Sequence, residues 1–286
     1  MKIVKDILIL IIIFTLAFYC FFALSACQTD EEIKTFEYET NEMIVKKGDV
    51  DIYGKLYLPI YASDDKPLVI LAHSANLTSD SLSKYAEEFA KRGFVAYAFD
   101  FCGGSSNSRS GGSQVDMTVF SECDDLKTVI DALLQLEYVD ENAVYLFGTS
   151  MGGLVCALTA ENNAHVKGEI LLYPAFNIAE LVSSYSGFGN GIFNTYGQAF
   201  VDTLKDFDVY DHIGNFSGNV LIVHGSNDFI VKPSYSQRAT DKYEHCTLRI
   251  IENAGHGFNQ DNYSIGGEFD DDVWRFIDDY FTIEEL

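Results

Sequence analysis

The chain reads as an α/β protein, with one mostly parallel sheet, helices on both faces and a cap insertion. Three observations lead there. Near-continuous apolar runs such as "PLVILAH" and "NVLIVHG" alternate with amphipathic segments, the pattern of parallel strands buried between crossover helices. The alternation runs nearly to the C-terminus without an internal repeat or a linker that would split it. A length of 286 residues, 48% of them hydrophobic, suffices for one large domain with a packed core.

Two alternating runs about a Gly-Asp turn, "EMIVKKGDVDIYGKLYLP", predict a hairpin. "PLVILAH" is a buried strand, "SLSKYAEEFAKRG" an amphipathic helix closed by Gly93, and "FVAYAFD" a second buried strand. A helix is expected over Met117 to Leu136, then strand "AVYLF" and helix "LVCALTAENN". Strand "GEILLYP" leads into a stretch from Ala175 to Phe216 without clean periodicity, which is taken as the insertion. Strand "NVLIVHG", helix "SYSQRATDKY", strand "TLRIIE" and a helix near Phe269 to Phe281, with Trp274 on its apolar side, complete the order.

The N-terminus stands apart. Lys2 and Lys5 precede an uncharged apolar run from Ile7 to Ala26, which reads as an export segment. Leu24-Ser25-Ala26-Cys27 resembles the lipobox of bacterial lipoprotein precursors, in which the cysteine is lipidated and becomes the first mature residue. The expected organisation is a signal peptide over 1–26, a polar spacer over 27–40 and a single α/β domain over 41–286, with the insertion at about 175–216. The alternative is an uncleaved signal anchor, since about 20 apolar residues can span a bilayer. Either way the domain is expected outside the cytoplasmic membrane and tethered to it.

Composition excludes some partners. A formal net charge of −24 repels nucleic acid and other polyanions and leaves neutral substrates favoured. Cys102, Cys123, Cys156 and Cys246 show no C-x-x-C pairing and no clustering with histidine, so neither a zinc site nor a required disulfide is expected.

"YLFGTSMGGL" carries the chemistry. A G-x-S-x-G match alone is weak, but here Gly148 and Gly152 flank Ser150 between an apolar strand and a helix. Such a turn exposes the hydroxyl above the sheet. A serine needs a base to take its proton and a carboxylate to orient that base. Downstream, "LIVHGSND" places Asp228 and "IIENAGHGF" places His256, each in the loop beyond a parallel strand. Ser, Asp, His in that order, all at carboxyl ends of strands, is a hydrolase constellation. His224 reads as structural, and His165, His212 and His245 fall in polar connections. Glu252 and Asn227 compete less well with Asp228, as a strand-end and a turn residue.

From about Val50 to Tyr280 the chain resembles an α/β-hydrolase of the cinnamoyl or feruloyl esterase-like branch, akin to small bacterial serine esterases and serine aminopeptidase-like hydrolases. That resemblance implies an oxyanion hole made by the N–H of Met151 and, in "LAHSANLTSDS", by that of Ala75, where the usual preceding glycine is Ser74. It also makes "DFCGGSSNSRSGG" a flexible wall of the site; without a following Gly-Lys-Ser/Thr it is no phosphate cradle. "GFGNG" is a turn of the insertion, whose aromatics, Phe176, Tyr185, Phe188, Phe193, Tyr196, Phe200, Phe207 and Tyr210, chiefly form its own core. The function implied is hydrolysis of small neutral or aromatic carboxylic esters through an acyl-enzyme, with no metal or organic cofactor. The rivals are a serine aminopeptidase-like peptidase, an acyltransferase, or a catalytically idle surface-binding module.

Overall fold

The computed structural model describes residues 35–61, 65–185, 195–260 and 267–284. All belong to the unit Thr35–Leu286. The export segment, Cys27, Phe188, Phe193 and "GFGNG" lie outside the described residues. Among the described residues no helix is long and apolar enough to cross a membrane.

The sheet contains β1 (Tyr38–Lys47), β2 (Val50–Pro59), β3 (Lys66–Ala72), β4 (Val95–Phe99), β5 (Val139–Thr149), β6 (Val166–Leu172), β7 (Asn219–Gly225) and β8 (Cys246–Ile251). Their spatial order is β1-β2-β4-β3-β5-β6-β7-β8. β1 and β2 form the hairpin expected from the sequence, β2 pairs antiparallel with β4, and every other pairing is parallel. β1 begins before position 41, because Tyr38, Glu39 and Thr40 already pair with Pro59, Leu58 and Tyr57.

Alternate strand residues feed two cores. Leu68, Ile70 and Ala72 of β3 face one side, with α2 (Val119–Leu133), α3 (Met151–Ala160) and α6 (Pro233–Thr240). Val69 and Leu71 face the other, with α1 (Ser83–Lys91) and α7 (Asp270–Glu284). Trp274 of α7 packs edge to face on Phe89 at 5.1 Å, and the Arg92 guanidinium lies 4.2 Å over its ring. α2 starts at Val119 instead of Met117 because Thr118 caps it: its hydroxyl accepts from the Ser121 N–H while Ser121 bonds back to the Thr118 N–H.

The insertion holds α4 (Ile178–Tyr185) and α5 (Gln198–Leu204) between β6 and β7. Its described rings share the core of the domain. Phe176, Tyr196, Phe200 and Tyr210 are buried in the same cluster as α2 and α3. Cys102, Cys123, Cys156 and Cys246 are free thiols.

Glu169 of β6 is fully buried, and neither carboxyl oxygen has a hydrogen-bond partner among the described residues. Burial, then the nearby Glu161 carboxylate, pushes its pKa up to about 8. Between the ordinary carboxylate range and pH 8 the folded chain therefore keeps a proton that the unfolded chain has lost, so stability falls as pH rises through that window. Glu169→Gln keeps the shape and removes the titration. Its gain in Tm over the parent should be larger at pH 8 than at pH 5 by about 10 °C, since a pKa raised to about 8 changes stability by about 3 kcal/mol over that interval. Thermal denaturation at both pH values decides; an equal difference contradicts the assignment.

Candidate active site

The carboxyl ends of β3, β5, β7 and β8 meet along one edge of the sheet, where its strand order reverses about β3. Ser150 joins β5 to α3 at φ 50°, ψ −114°, a conformation L-residues rarely adopt. Its N–H donates to the Leu172 carbonyl at 2.9 Å, and its own carbonyl accepts from Leu154 at 3.1 Å and Ala175 at 2.9 Å. The flanking glycines are steric necessities. A Cβ on Gly148 would lie 2.4 Å from the Gly152 carbonyl oxygen, and one on Gly152 would lie 2.2 Å from that of Ala72.

His256 stands over this turn. Its Nε2 is 3.1 Å from the Ser150 hydroxyl oxygen and its Nδ1 is 2.7 Å from Oδ2 of Asp228. An ionised carboxylate only accepts, so Nδ1 carries the proton and leaves Nε2 to accept from the serine. Gly257 and Phe258, at φ 74° and 59°, form the tight turn that aims the ring, and the Tyr173 ring packs against it at 4.7 Å.

The Asp228 carboxyl is fully buried. Oδ1 accepts from the Ile230 and Val231 N–H groups at 2.9 and 2.8 Å. Burial by itself would raise its pKa; hydrogen bonds from His224 and His256 outweigh that and bring it to about 2. The acid is ionised throughout the neutral range, as an orienting carboxylate must be.

Ala75 lies in the loop after β3, and Met151 opens α3 directly after Ser150. Among the described residues neither the Met151 nor the Ala75 N–H makes a hydrogen bond, so both amides are available to a ligand. Ser74 needs no positive φ; Asn76 takes that conformation instead, at 58°. The Ser74 side chain has a task glycine could not perform, since its hydroxyl oxygen lies 2.9 Å from that of Thr149, the residue before Ser150. His73 locks the same loop. Its Nδ1 donates to the Ser74 carbonyl at 2.8 Å and its Nε2 accepts from the Phe101 N–H at 3.1 Å. Burial holds its pKa below the usual value, in keeping with a neutral ring.

The segment after β4 is a tied wall, not a flexible one. Buried Asp100 accepts from the Ser79 N–H at 2.8 Å, the Ser79 hydroxyl at 2.6 Å, the Arg109 N–H at 2.9 Å and the Arg109 guanidinium at 3.1 Å. Gln114 donates to Asn76 Oδ1 at 2.8 Å, so the wall is joined to the oxyanion loop. From the insertion, the Tyr196 hydroxyl accepts from the Asn76 N–H at 3.0 Å. These ties lay beyond sequence reasoning.

The other histidines fall elsewhere. His165, His212 and His245 are exposed, as are Glu252 and Asn227. His224 is fully buried beneath Asp228, a contact between side chains that no sequence spacing signals. No group of three or more His, Cys, Asp or Glu residues that could hold a metal ion occurs among the described residues.

A family model described as serine aminopeptidase, S33, matches residues 63–205. The quorum-quenching protein AidA of Acinetobacter baumannii (strain MDR-ZJ06) is 28% identical over 174 residues, 60% of this chain and 52% of that protein. The chain thus spans about half the length of this curated relative. Among solved structures, Est1E of Butyrivibrio proteoclasticus with bound ferulic acid has a TM-score of 0.70 at 22% identity, over 85% of this chain and 98% of its own. The α/β hydrolase GrgF of Penicillium sp. sh18 has a TM-score of 0.66 at 15% identity, over 85% and 97%. At those identities the likeness is one of fold.

Gly152→Ala tests the elbow. With the added Cβ forced against the Ala72 and His73 carbonyls, urea denaturation should show a loss of about 3 kcal/mol. A loss below about 0.5 kcal/mol, the range of an ordinary surface substitution, would contradict the packing.

Proposed function

Because that family model covers half of its residues, the chain belongs to the serine aminopeptidase S33 family of α/β hydrolases, and from this premise we propose that it cleaves carboxylic esters through an acyl-enzyme on Ser150. One observation carries the reading: an unbroken hydrogen-bonded line from the Ser150 hydroxyl through His256 to ionised Asp228, beside two available amides. In the proposed sequence His256 takes the serine proton as Oγ attacks the carbonyl. The developing oxyanion binds the Met151 and Ala75 N–H groups. His256 then returns the proton to the leaving alcohol, and water repeats the cycle to free the acid. Asp228 keeps the imidazole tautomer and balances its transient positive charge.

Small neutral or aromatic esters suit the site best. The strongly acidic chain disfavours polyanionic substrates. Ferulic acid, bound to the structurally similar Est1E, makes an aromatic acyl group the first candidate. The family's description as serine aminopeptidases supports a second reading, cleavage of aminoacyl amides by the same acyl chemistry. We also propose that Cys27 is lipidated and anchors the domain to the outer face of the cytoplasmic membrane, a reading supported by the Leu24-Ser25-Ala26-Cys27 sequence.

Ser150→Ala and His256→Ala should each lower kcat on a p-nitrophenyl ester by about 10⁶. Retention of most turnover by Ser150→Ala would refute the nucleophile. Offered p-nitrophenyl esters, feruloyl esters and aminoacyl amides, the domain lacking residues 1–27 should prefer esters; preference for amides favours the peptidase. A chain that neither turns over any of them nor reacts with a fluorophosphonate probe is an idle module. Globomycin should make the unprocessed precursor accumulate, and unchanged mobility would exclude lipoprotein processing.

A further inference from the structure

The acid of the site is gripped from a second side. His224 is the penultimate residue of β7, four residues before Asp228, and the loop that follows β7 folds back over its ring. Its Nε2 lies 2.7 Å from the Val231 carbonyl oxygen and 3.2 Å from Oδ2 of Asp228. Both oxygens only accept, so Nε2 carries a proton and shares it between them. Its Nδ1 lies 2.7 Å from the hydroxyl oxygen of Ser236 on α6, and both residues are fully buried. With Nε2 protonated, the neutral ring accepts the Ser236 hydroxyl proton at Nδ1.

Oδ2 of Asp228 therefore sits between two imidazole N–H groups, from His256 at 2.7 Å and His224 at 3.2 Å. The remaining oxygen is occupied by two backbone amides. Asn177 steadies the same loop from the insertion, its side-chain amide donating to the Ile230 carbonyl at 3.0 Å. Among the described residues, His224, Tyr173 against the His256 ring and Ser150 face the Asp228–His256 pair, and the Asp270 carboxylate of α7 acts on Tyr173.

We propose that His224, held in one tautomer by Ser236, is a positioning residue of this site: it fixes the Asp228 carboxylate and draws off part of its charge, and so sets how that carboxylate holds the His256 ring. This rests on the ester-cleaving reading of Ser150, His256 and Asp228. A histidine that served only to fill space under the loop would need neither an N–H aimed at a carboxylate nor a buried hydroxyl on its other nitrogen. Shared donation matters because a carboxylate bonded by one imidazole alone concentrates its field on that ring and stabilises the imidazolium. With His224 in place, the field of the carboxylate is divided between two donors.

The test is the pH dependence of kcat/KM on p-nitrophenyl acetate for the parent chain, His224→Phe, His224→Gln and Ser236→Ala, each checked for folding by circular dichroism. His224→Phe should lower kcat/KM at pH 7 by about tenfold and move the acid limb to higher pH. His224→Gln, whose amide N–H can meet the same two oxygens, should recover most of both. Ser236→Ala should move the limb in the same direction by less. A folded His224→Phe chain with the parental acid limb overturns the inference, as do equal losses in His224→Phe and His224→Gln without movement of the limb. If His224→Phe does not fold, Ser236→Ala decides, and a parental profile there overturns it. A parent chain that neither hydrolyses the ester nor takes a fluorophosphonate label sinks the underlying reading instead, so the two failures are distinct.

Discussion

The site depends on one backbone conformation. Ser150 is held at φ 50°, ψ −114°, a state that costs on the order of 1 to 3 kcal/mol for a residue with a side chain. It persists because its surroundings leave no alternative. β6 takes its N–H, α3 and the start of the insertion take its carbonyl, and the flanking residues have no Cβ because the Ala72 and Gly152 carbonyls stand where one would go. The strain lifts the hydroxyl clear of the sheet and points the first amides of α3 at whatever binds to it. Strand, turn and helix thus act as one rigid mount, and the rest of the site is arranged around it.

Two loops complete the mount. The loop after β3 offers the Ala75 amide only because His73, Ser74 and Asn76 are each tied to a different neighbour: the Phe101 loop, the β5 end and the Tyr196 hydroxyl. The loop after β7 encloses Asp228 with four donors, two from backbone and two from histidine. Burial works against an ionised carboxylate, and those donors reverse its effect. A charge is therefore kept in a dry place at neutral pH, where it can hold His256 in one tautomer. Glu169 shows the opposite outcome within the same sheet: buried with no donor among the described residues, it keeps its proton.

Much of this was legible in the sequence because it follows from strand ends. Apolar runs located β3, β4 and β7 closely, and the residues just beyond β5, β7 and β8 had to converge on one edge of a parallel sheet. Ser150, Asp228 and His256 could be grouped on that ground before any coordinate was known. Side-chain ties between loops left no periodic trace. Asp100 with Arg109, Ser74 with Thr149 and His224 with Asp228 join positions whose spacing belongs to no regular element. The insertion was opaque for a related reason: α4 and α5 span only eight and seven residues, too short for periodicity to stand out, and Phe200 and Tyr196 are buried by helices distant in sequence. The start of α2 was missed although its signal was present, in the Thr118 and Ser121 capping pair.

The central claim is that the strained serine becomes acylated. Mixing the chain with excess p-nitrophenyl acetate, quenching in acid within the first turnover and mapping peptides by mass spectrometry tests this directly. The account predicts one acetyl group per chain, on the peptide and residue of Ser150, and none there in the presence of a fluorophosphonate. Release of p-nitrophenol from an intact chain whose Ser150 never carries the acetyl group would contradict it.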